Sequence, residues 1–276
     1  MKRPLQAGLI VEGNSTNSTV LRLPKIPEEL GPIKSRALRV ARRLSNLLKA
    51  GYPVANYKGL QTARLILVRV PDSVVPGIVD ELCQSELVLK NLSFVLCESW
   101  LSTNALEPLR ARGASVATLV NVPNSDRKWF VVEGQLAAVR QMRRFIELNE
   151  ARALELRPGT KQFYFAAMLL ATTLPIPLFL AAQKALRGSG VSGHHLRTVL
   201  NEMSQNMFKG FSKGARGFWG GPLAECSEET AKAYFEALRR NDPQLADFVT
   251  EELARARQVM AKQKVSRGDL FREASG

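Results

Sequence analysis

The chain has little of what metal centres and disulfide frameworks are built from. Its three cysteines, Cys83, Cys97 and Cys226, form no CxxC pair, and its two histidines, His194 and His195, are neighbours in a helical pattern where adjacent side chains diverge. No metal site is expected, and the thiols read as buried and reduced. Acidic residues are scarce beside basic ones, 25 against 39, giving a formal net charge of +14. That balance favours a polyanionic partner: nucleic acid, a membrane surface or a phosphorylated ligand. The basic residues are scattered through helical patterns, and no helix-turn-helix, RNA-recognition or zinc-finger signature accompanies them, so nucleic acid ranks last.

Charge is missing altogether from FYFAAMLLATTLPIPLFLAA, Phe163 to Ala182, a run as long as a membrane span. Pro175 and Pro177 at its centre, the polar pair Thr172 and Thr173, and the lack of a second such run favour burial in a domain or dimer core instead. A homodimer that covers this helix is expected, with no membrane. The apolar run near the N-terminus is too short for a signal peptide and lacks a cleavage site, so a cytoplasmic location is expected.

What is present is an alternation. Ala7 to Glu12, Ala63 to Val70, Leu92 to Cys97, Ser115 to Val120 and Trp129 to Glu133 are short runs rich in Val, Leu and Ile, as strands covered on both faces are. Between them, Lys34 to Ala50, Ser73 to Cys83, Thr103 to Arg112 and Gln135 to Asn149 carry apolar residues at three- and four-residue spacing. The pattern predicts an α/β fold, a Rossmann-type mostly parallel sheet with helices on both faces. Strand signal stops after Arg157-Pro158-Gly159. An all-helical domain is expected from there, dividing the chain into 1–157 and 158–276.

The stretch GLIVEGNSTNST ends the first strand on Gly13, where a dinucleotide-binding fold places its tight turn. Ser15 and Ser18 occupy the positions of the two further glycines of that fingerprint, and Asn14 lies within the turn. Pro24 and Pro27 forbid a continuous helix from Thr19, so the first long helix is placed near Pro32, with free N–H groups at Ile33, Lys34 and Ser35 and the Lys34 ammonium offered to a phosphate. With the insertion allowed for, the end of the second strand is placed in VANYKG. Asn56, Tyr57 and Lys58 there include no carboxylate, and Tyr57 with Lys58 suits the 2′-phosphate of NADP better than the bare ribose of NAD.

Several segments carry a family resemblance. ARLILVRVPDSVVPGIVDEL resembles the strand, Val-Pro-Asp turn and helix of Rossmann-like proteins with the C-terminal helical domain of unknown function 2520, and LCESWLSTNALEPLRARGASVATL is similar to their next strand, loop, helix and strand. KQFYFAAMLLATT and GPLAECSEETAKAYFEAL resemble two stretches of that helical domain. Those relatives are similar to pyrroline-carboxylate reductases, ketopantoate reductases and deazaflavin-dependent NADP reductases. The resemblance implies an NAD(P)-binding first domain, a helical dimerisation domain, and cofactor contacts at Gly13, Ser15, Ser18, Val70, Pro71, Asp72, Glu98 and Ser99. A family tyrosine is kept as Tyr164. A His-Pro pair after the fifth strand is Asn121-Val122 here, a histidine after the tyrosine is Phe165, and an asparagine further on is Thr173.

Candidate catalytic groups are therefore Lys161, Tyr164, Thr173 and Asn121. A hydride transfer needs a group that moves a proton near neutral pH, and the histidines that serve in relatives are absent. Two functions stay open: an NADP-dependent oxidoreductase acting on a small carbonyl or imine substrate, and a non-catalytic protein that senses a nucleotide or binds a partner on the same scaffold.

Overall fold

The computed structural model describes residues 7–13, 18–122, 129–212, 222 and 226–263. The chain divides into two compact units, Met1–Met168 and Leu169–Gly276.

The first unit is built on an eight-stranded sheet: β1 (Ala7–Val11), β2 (Leu30–Lys34), β3 (Tyr52–Val54), β4 (Leu65–Arg69), β5 (Ser93–Cys97), β6 (Ser115–Asn121), β7 (Trp129–Gly134) and β8 (Arg152–Glu155). Their order is β3-β2-β1-β4-β5-β6-β7-β8. The first six run parallel, β7 is antiparallel to β6, and β8 is parallel to β7. Because side chains alternate across a strand, each run feeds two cores. Leu9, Leu67, Val95 and Leu119 meet Ala41 and Leu44 of α2 (Leu38–Leu48) and Met142 and Phe145 of α5 (Leu136–Leu148) on one face. Ile10, Ile66, Phe94 and Val116 meet Ile78 and Leu82 of α3 (Val75–Gln84) and Leu109 of α4 (Glu107–Ala111) on the other. The α/β reading and the mostly parallel sheet hold.

The crossover from β1 to β2 departs from the expected course. Leu30–Lys34 is a strand, not the start of the first long helix, and all five of its residues are buried. Residues between Ser18 and Glu29 form a three-residue 3-10 turn, Val20–Arg22, and a single helical turn, α1 (Ile26–Glu29). Pro24 and Pro27 do prevent a continuous helix there. Pro32 is tolerated inside β2 because the register slips: Ala7 pairs with Leu30 but Leu9 pairs with Ile33, an extra residue on the β2 side. The side chains Val20, Leu21, Leu23 and Ile26 fill the core that a crossover helix would cover. Buried Asn149 ties this segment to the end of α5, accepting the Lys25 N–H at 2.8 Å and donating to the Phe145 carbonyl at 2.9 Å.

At the end of α2, Gly51 has φ +66, and a β-carbon on it would lie 2.5 Å from the Gly31 carbonyl of β2. Glycine is needed there on both counts.

From α6 (Lys161–Met168) the backbone passes through a π turn, Leu169–Thr173, into α7 (Pro175–Gly188). Pro175 has no N–H to continue an α-helical ladder, and the Leu174 N–H reaches back five residues to the Leu169 carbonyl at 2.9 Å. The second unit continues as α8 (Gly193–Ser212), α9 (Glu228–Asn241) and α10 (Pro243–Gln263). Ser227 caps α9 by accepting the Thr230 N–H at 3.2 Å, and Asp242 accepts from Leu245 at 3.0 Å at the start of α10. Asp242 also pairs with Lys184 of α7, which with its backbone bond holds its carboxyl below the usual carboxylate range.

Candidate functional site

In an open parallel sheet the binding crevice lies outside the carboxyl ends of the strands where the order reverses. Here that point is between β1 and β4. Gly13 leaves β1 with φ +69, a left-handed turn that glycine makes without strain. A β-carbon placed on it would sit 3.7 Å from the ring of Pro71, so the Gly13 turn and the Val70-Pro71-Asp72 turn after β4 lie side by side. Val70 is buried and Asp72 opens a 3-10 turn into α3. Asn14 and Ser15 lie outside the described residues.

VANYKG does not end the second strand of the sheet. That segment follows β3, at the edge of the sheet, because β2 itself was hidden by its glycine and proline. The end of β2 is Lys34-Ser35-Arg36, with Arg36 23 residues past Gly13, and it carries no carboxylate. Glu12 supports the bend, accepting from the Ser35 hydroxyl at 3.2 Å and from the Arg36 N–H. The Arg36 guanidinium pairs with Glu81 of α3 at 2.7 Å, and one of its nitrogens lies 2.7 Å from where a Gly77 β-carbon would be. Ser35 was expected here only as a helix-start N–H donor, and Arg36 was not a candidate. Their spacing from Gly13 was the available signal.

Lys34 is not a helix-start donor. It ends a buried strand, gives its ammonium to the Ser35 carbonyl at 2.6 Å, and stands 5.0 Å from the centre of the Tyr57 ring. Burial holds its pKa down, against the nearby carboxylates of Glu81 and Glu12. The Tyr57 hydroxyl donates to Glu81 at 2.6 Å, and burial with that carboxylate beside it pushes the phenol up. Tyr57 therefore belongs to the Lys34–Arg36–Glu81 group. Lys58 does not: it pairs with Glu86 on the surface at 2.9 Å.

Glu98 follows β5 with φ +55, and its carboxylate reaches under the β1–β2 crossover. Oε1 accepts from the Ser18 hydroxyl at 3.1 Å and from the backbone N–H groups of Thr19 at 2.5 Å and Val20 at 3.1 Å. Oε2 pairs with the Arg69 guanidinium at 2.7 Å. The first amides of the crossover turn thus bind an anion supplied by the chain itself. Asn121, at the end of β6, donates to the Thr19 hydroxyl at 3.3 Å and joins the same cluster.

Ser99, Trp100 and Leu101 form the rim next to α6. Lys161 in the first turn of α6 is 5% exposed, and its ammonium donates to the carbonyls of Ser99 and Leu101 at 2.7 Å each. Burial lowers its pKa to about 8, while the charges of Glu133 and then Asp72 act in the opposite direction. One helical turn on, Tyr164 stacks on Trp100 at 6.1 Å between ring centres, and Phe165 meets the same indole edge-on at 5.1 Å. The Tyr164 hydroxyl is buried without a hydrogen-bond partner, and burial raises its pKa. Thr173 lies in the second unit, exposed in the π turn.

Among the described residues, no group of three or more His, Cys, Asp and Glu is placed to hold a metal ion. Burial and the neighbouring Glu98 charge push the Cys97 thiol up, away from nucleophilic use.

No family model matches the sequence, and no curated protein matches it. Solved structures do. The chain is similar to a Bacteroides fragilis protein described as an NADP oxidoreductase, with TM-score 0.72 at 14% identity over 92% of this chain and 97% of that one. It is similar to an imine reductase from Aspergillus terreus in complex with NADPH4 and a dibenzazepine, with TM-score 0.65 at 12% identity over 95% of each chain. A pyrroline-5-carboxylate reductase from Coxiella burnetii gives TM-score 0.54 at 12% identity over 92% of this chain and 97% of that one. The chain has the Rossmann-type fold of these NADP oxidoreductases.

Proposed function

We propose that the chain is an NADP-dependent reductase of a small imine or carbonyl compound, kin to the Rossmann-like proteins with the C-terminal helical domain of unknown function 2520. The end of β2 carries this reading: a serine and an arginine, with no carboxylate, stand where the 2′-position of the adenosine ribose is recognised. Ser35 and Arg36 would hold the 2′-phosphate, Gly13 and the Pro71-Asp72 turn would border the diphosphate and nicotinamide ribose, and Ser99 would flank the nicotinamide. Asn14 and Ser15 belong to the same loop by sequence. A bound nicotinamide supplies hydride to the substrate carbon. Lys161 supplies the proton: an ammonium has three N–H donors, two are spent on Ser99 and Leu101, and a pKa of about 8 keeps proton transfer accessible near neutral pH. Tyr164, with an unpaired hydroxyl one turn away, is the second donor.

The helical unit supports a homodimer. Leu170, Leu174, Ile176 and Leu180 are exposed along one helix, and Met203, Phe208 and Phe211 on α8 are exposed as well. The stretch Lys161–Gly188 is long and apolar enough to cross a membrane. We read it, with its central prolines, as a cytoplasmic dimer's buried helix.

A second reading is favoured by the Glu98 cluster and by Lys161's two carbonyl bonds, both of which look like structural fastenings: a nucleotide sensor without turnover. Fluorescence titration with NADPH and NADH tests both. NADPH is expected to bind more tightly, and Arg36→Glu to weaken it by about 10- to 100-fold, the loss of one charge-assisted contact. If NADPH does not bind, both readings fail. Binding without oxidation of NADPH by a panel of cyclic imines and ketones leaves the sensor.

A further inference from the structure

We propose that Glu133 is the positioning residue for Lys161: one carboxylate oxygen seats the turn that opens α6, and the buried negative charge of the group acts on the lysine. Glu133 lies on β7 and is 2% exposed, an unusual place for a carboxylate unless it is paired. Its Oε1 accepts the Gly159 N–H at 2.5 Å, two residues before Lys161. Gly159 has φ +76, so the chain turns left-handed at that bond and then enters α6. The Leu156 N–H, bonded to the Val132 carbonyl at 2.9 Å, fastens the same linker to the neighbouring residue of β7. An anion at a helix start is favourably placed toward the helix dipole.

Glu133 Oε2 is buried with no hydrogen-bond partner, and the same holds for the hydroxyl of Thr118, the residue directly opposite on β6. With that oxygen unpaired in a poorly screening interior, the Glu133 charge is felt by the Lys161 ammonium. Of the groups that face Lys161, Glu133 raises its pKa most and Asp72, from the turn after β4, comes next. Glu98, next to Ser99 in sequence, spends its charge on Arg69. Tyr164 on α6 itself adds no charge near neutral pH, since burial raises its pKa. The balance leaves Lys161 protonated at neutral pH yet close enough to its midpoint to give the proton up.

The catalytic consequence rests on the reading of Lys161 as proton source, but the tuning itself is measurable without any substrate. Isotope-labelled lysine followed by NMR reports the Lys161 midpoint, its resonance assigned through Lys161→Arg. In Glu133→Gln, which keeps an acceptor for Gly159, the midpoint is expected to fall by about one unit with little change in melting temperature. In Glu133→Ala both are expected to fall, and in Asp72→Asn the midpoint is expected to fall less than in Glu133→Gln. A Glu133→Gln midpoint equal to wild type, or a larger shift in Asp72→Asn, overturns the proposal. If Glu133→Gln does not fold, Glu133→Asp keeps the charge and shortens the reach: a lower melting temperature at a near wild-type midpoint is expected, and no change in either overturns the seating role. NADPH affinity is expected to be the same in wild type and Glu133→Gln. Failure of the wild-type chain to bind NADPH would sink the function above while leaving the Lys161 midpoints to decide this one.

Discussion

In the unit Met1–Met168 the large side chains of the sheet, such as Leu9, Ile33, Phe94 and Phe130, are wholly shielded from solvent, whereas in the unit Leu169–Gly276 Leu170, Leu174, Ile176 and Leu180 are each more than half exposed. Among the described residues of the second unit, only Leu196, Leu245 and Ala246 are buried apolar side chains. The sheet satisfies its own apolar surface twice over, once on each face. The helical unit does not, and an apolar surface of that kind marks an interaction site. The first unit buries its own apolar core, and the second leaves much of its apolar surface exposed.

The sharpest way to test this contrast is to injure each unit in turn. Phe94→Ala empties the sheet core between β5 and the α3 layer and is expected to cost about 3–5 kcal/mol at any protein concentration, read by denaturant unfolding. Lys161 adds a pH dependence confined to the first unit. Its folded pKa of about 8 lies below the ordinary lysine value of 10.5, so between those values the unfolded chain binds more protons and stability rises with pH. The full gain is roughly 3 kcal/mol across that window, and Lys161→Met is expected to flatten it. Leu170→Glu acts on the helical unit and is expected to weaken self-association by about tenfold or more in sedimentation, leaving melting independent of concentration. Lys58→Ala is the smallest test: its pair with Glu86 is exposed, so neither melting nor NADPH affinity is expected to change. A marked loss of NADPH affinity there would return the 2′-phosphate site to VANYKG.

Much of the frame was legible without coordinates. The Val, Leu and Ile runs of β1, β4, β5, β6 and β7 stand in the predicted places, as do the helices between them, because strands covered on both faces need continuous apolar sequence. Gly13 was placed by the dinucleotide fingerprint and Val70-Pro71-Asp72 by the family resemblance, and the structure sets them against each other. β2 was not legible. Leu30-Gly31-Pro32 carries two strand breakers, and only the pairing with β1 and the extra residue in its register make it a strand. That one omission placed the end of the second strand near Tyr57 and Lys58 instead of Ser35 and Arg36, and made Lys34, a strand end, an expected phosphate ligand.

The sequence by itself determined the alternation of strand and helix, the broken crossover after the first strand, and the apolar helix that begins at Lys161, because periodicity, proline and glycine act within a few residues. Only the tertiary structure decided that Glu98 fastens Ser18, 80 residues away, that the Lys161 ammonium meets Ser99, 62 residues away, and that Glu133 caps the approach to α6. Charges so far apart in the chain have no local pattern to announce them. They meet because burying both faces of the sheet brings the strand ends together, and each ion excluded from water must then find its partner there.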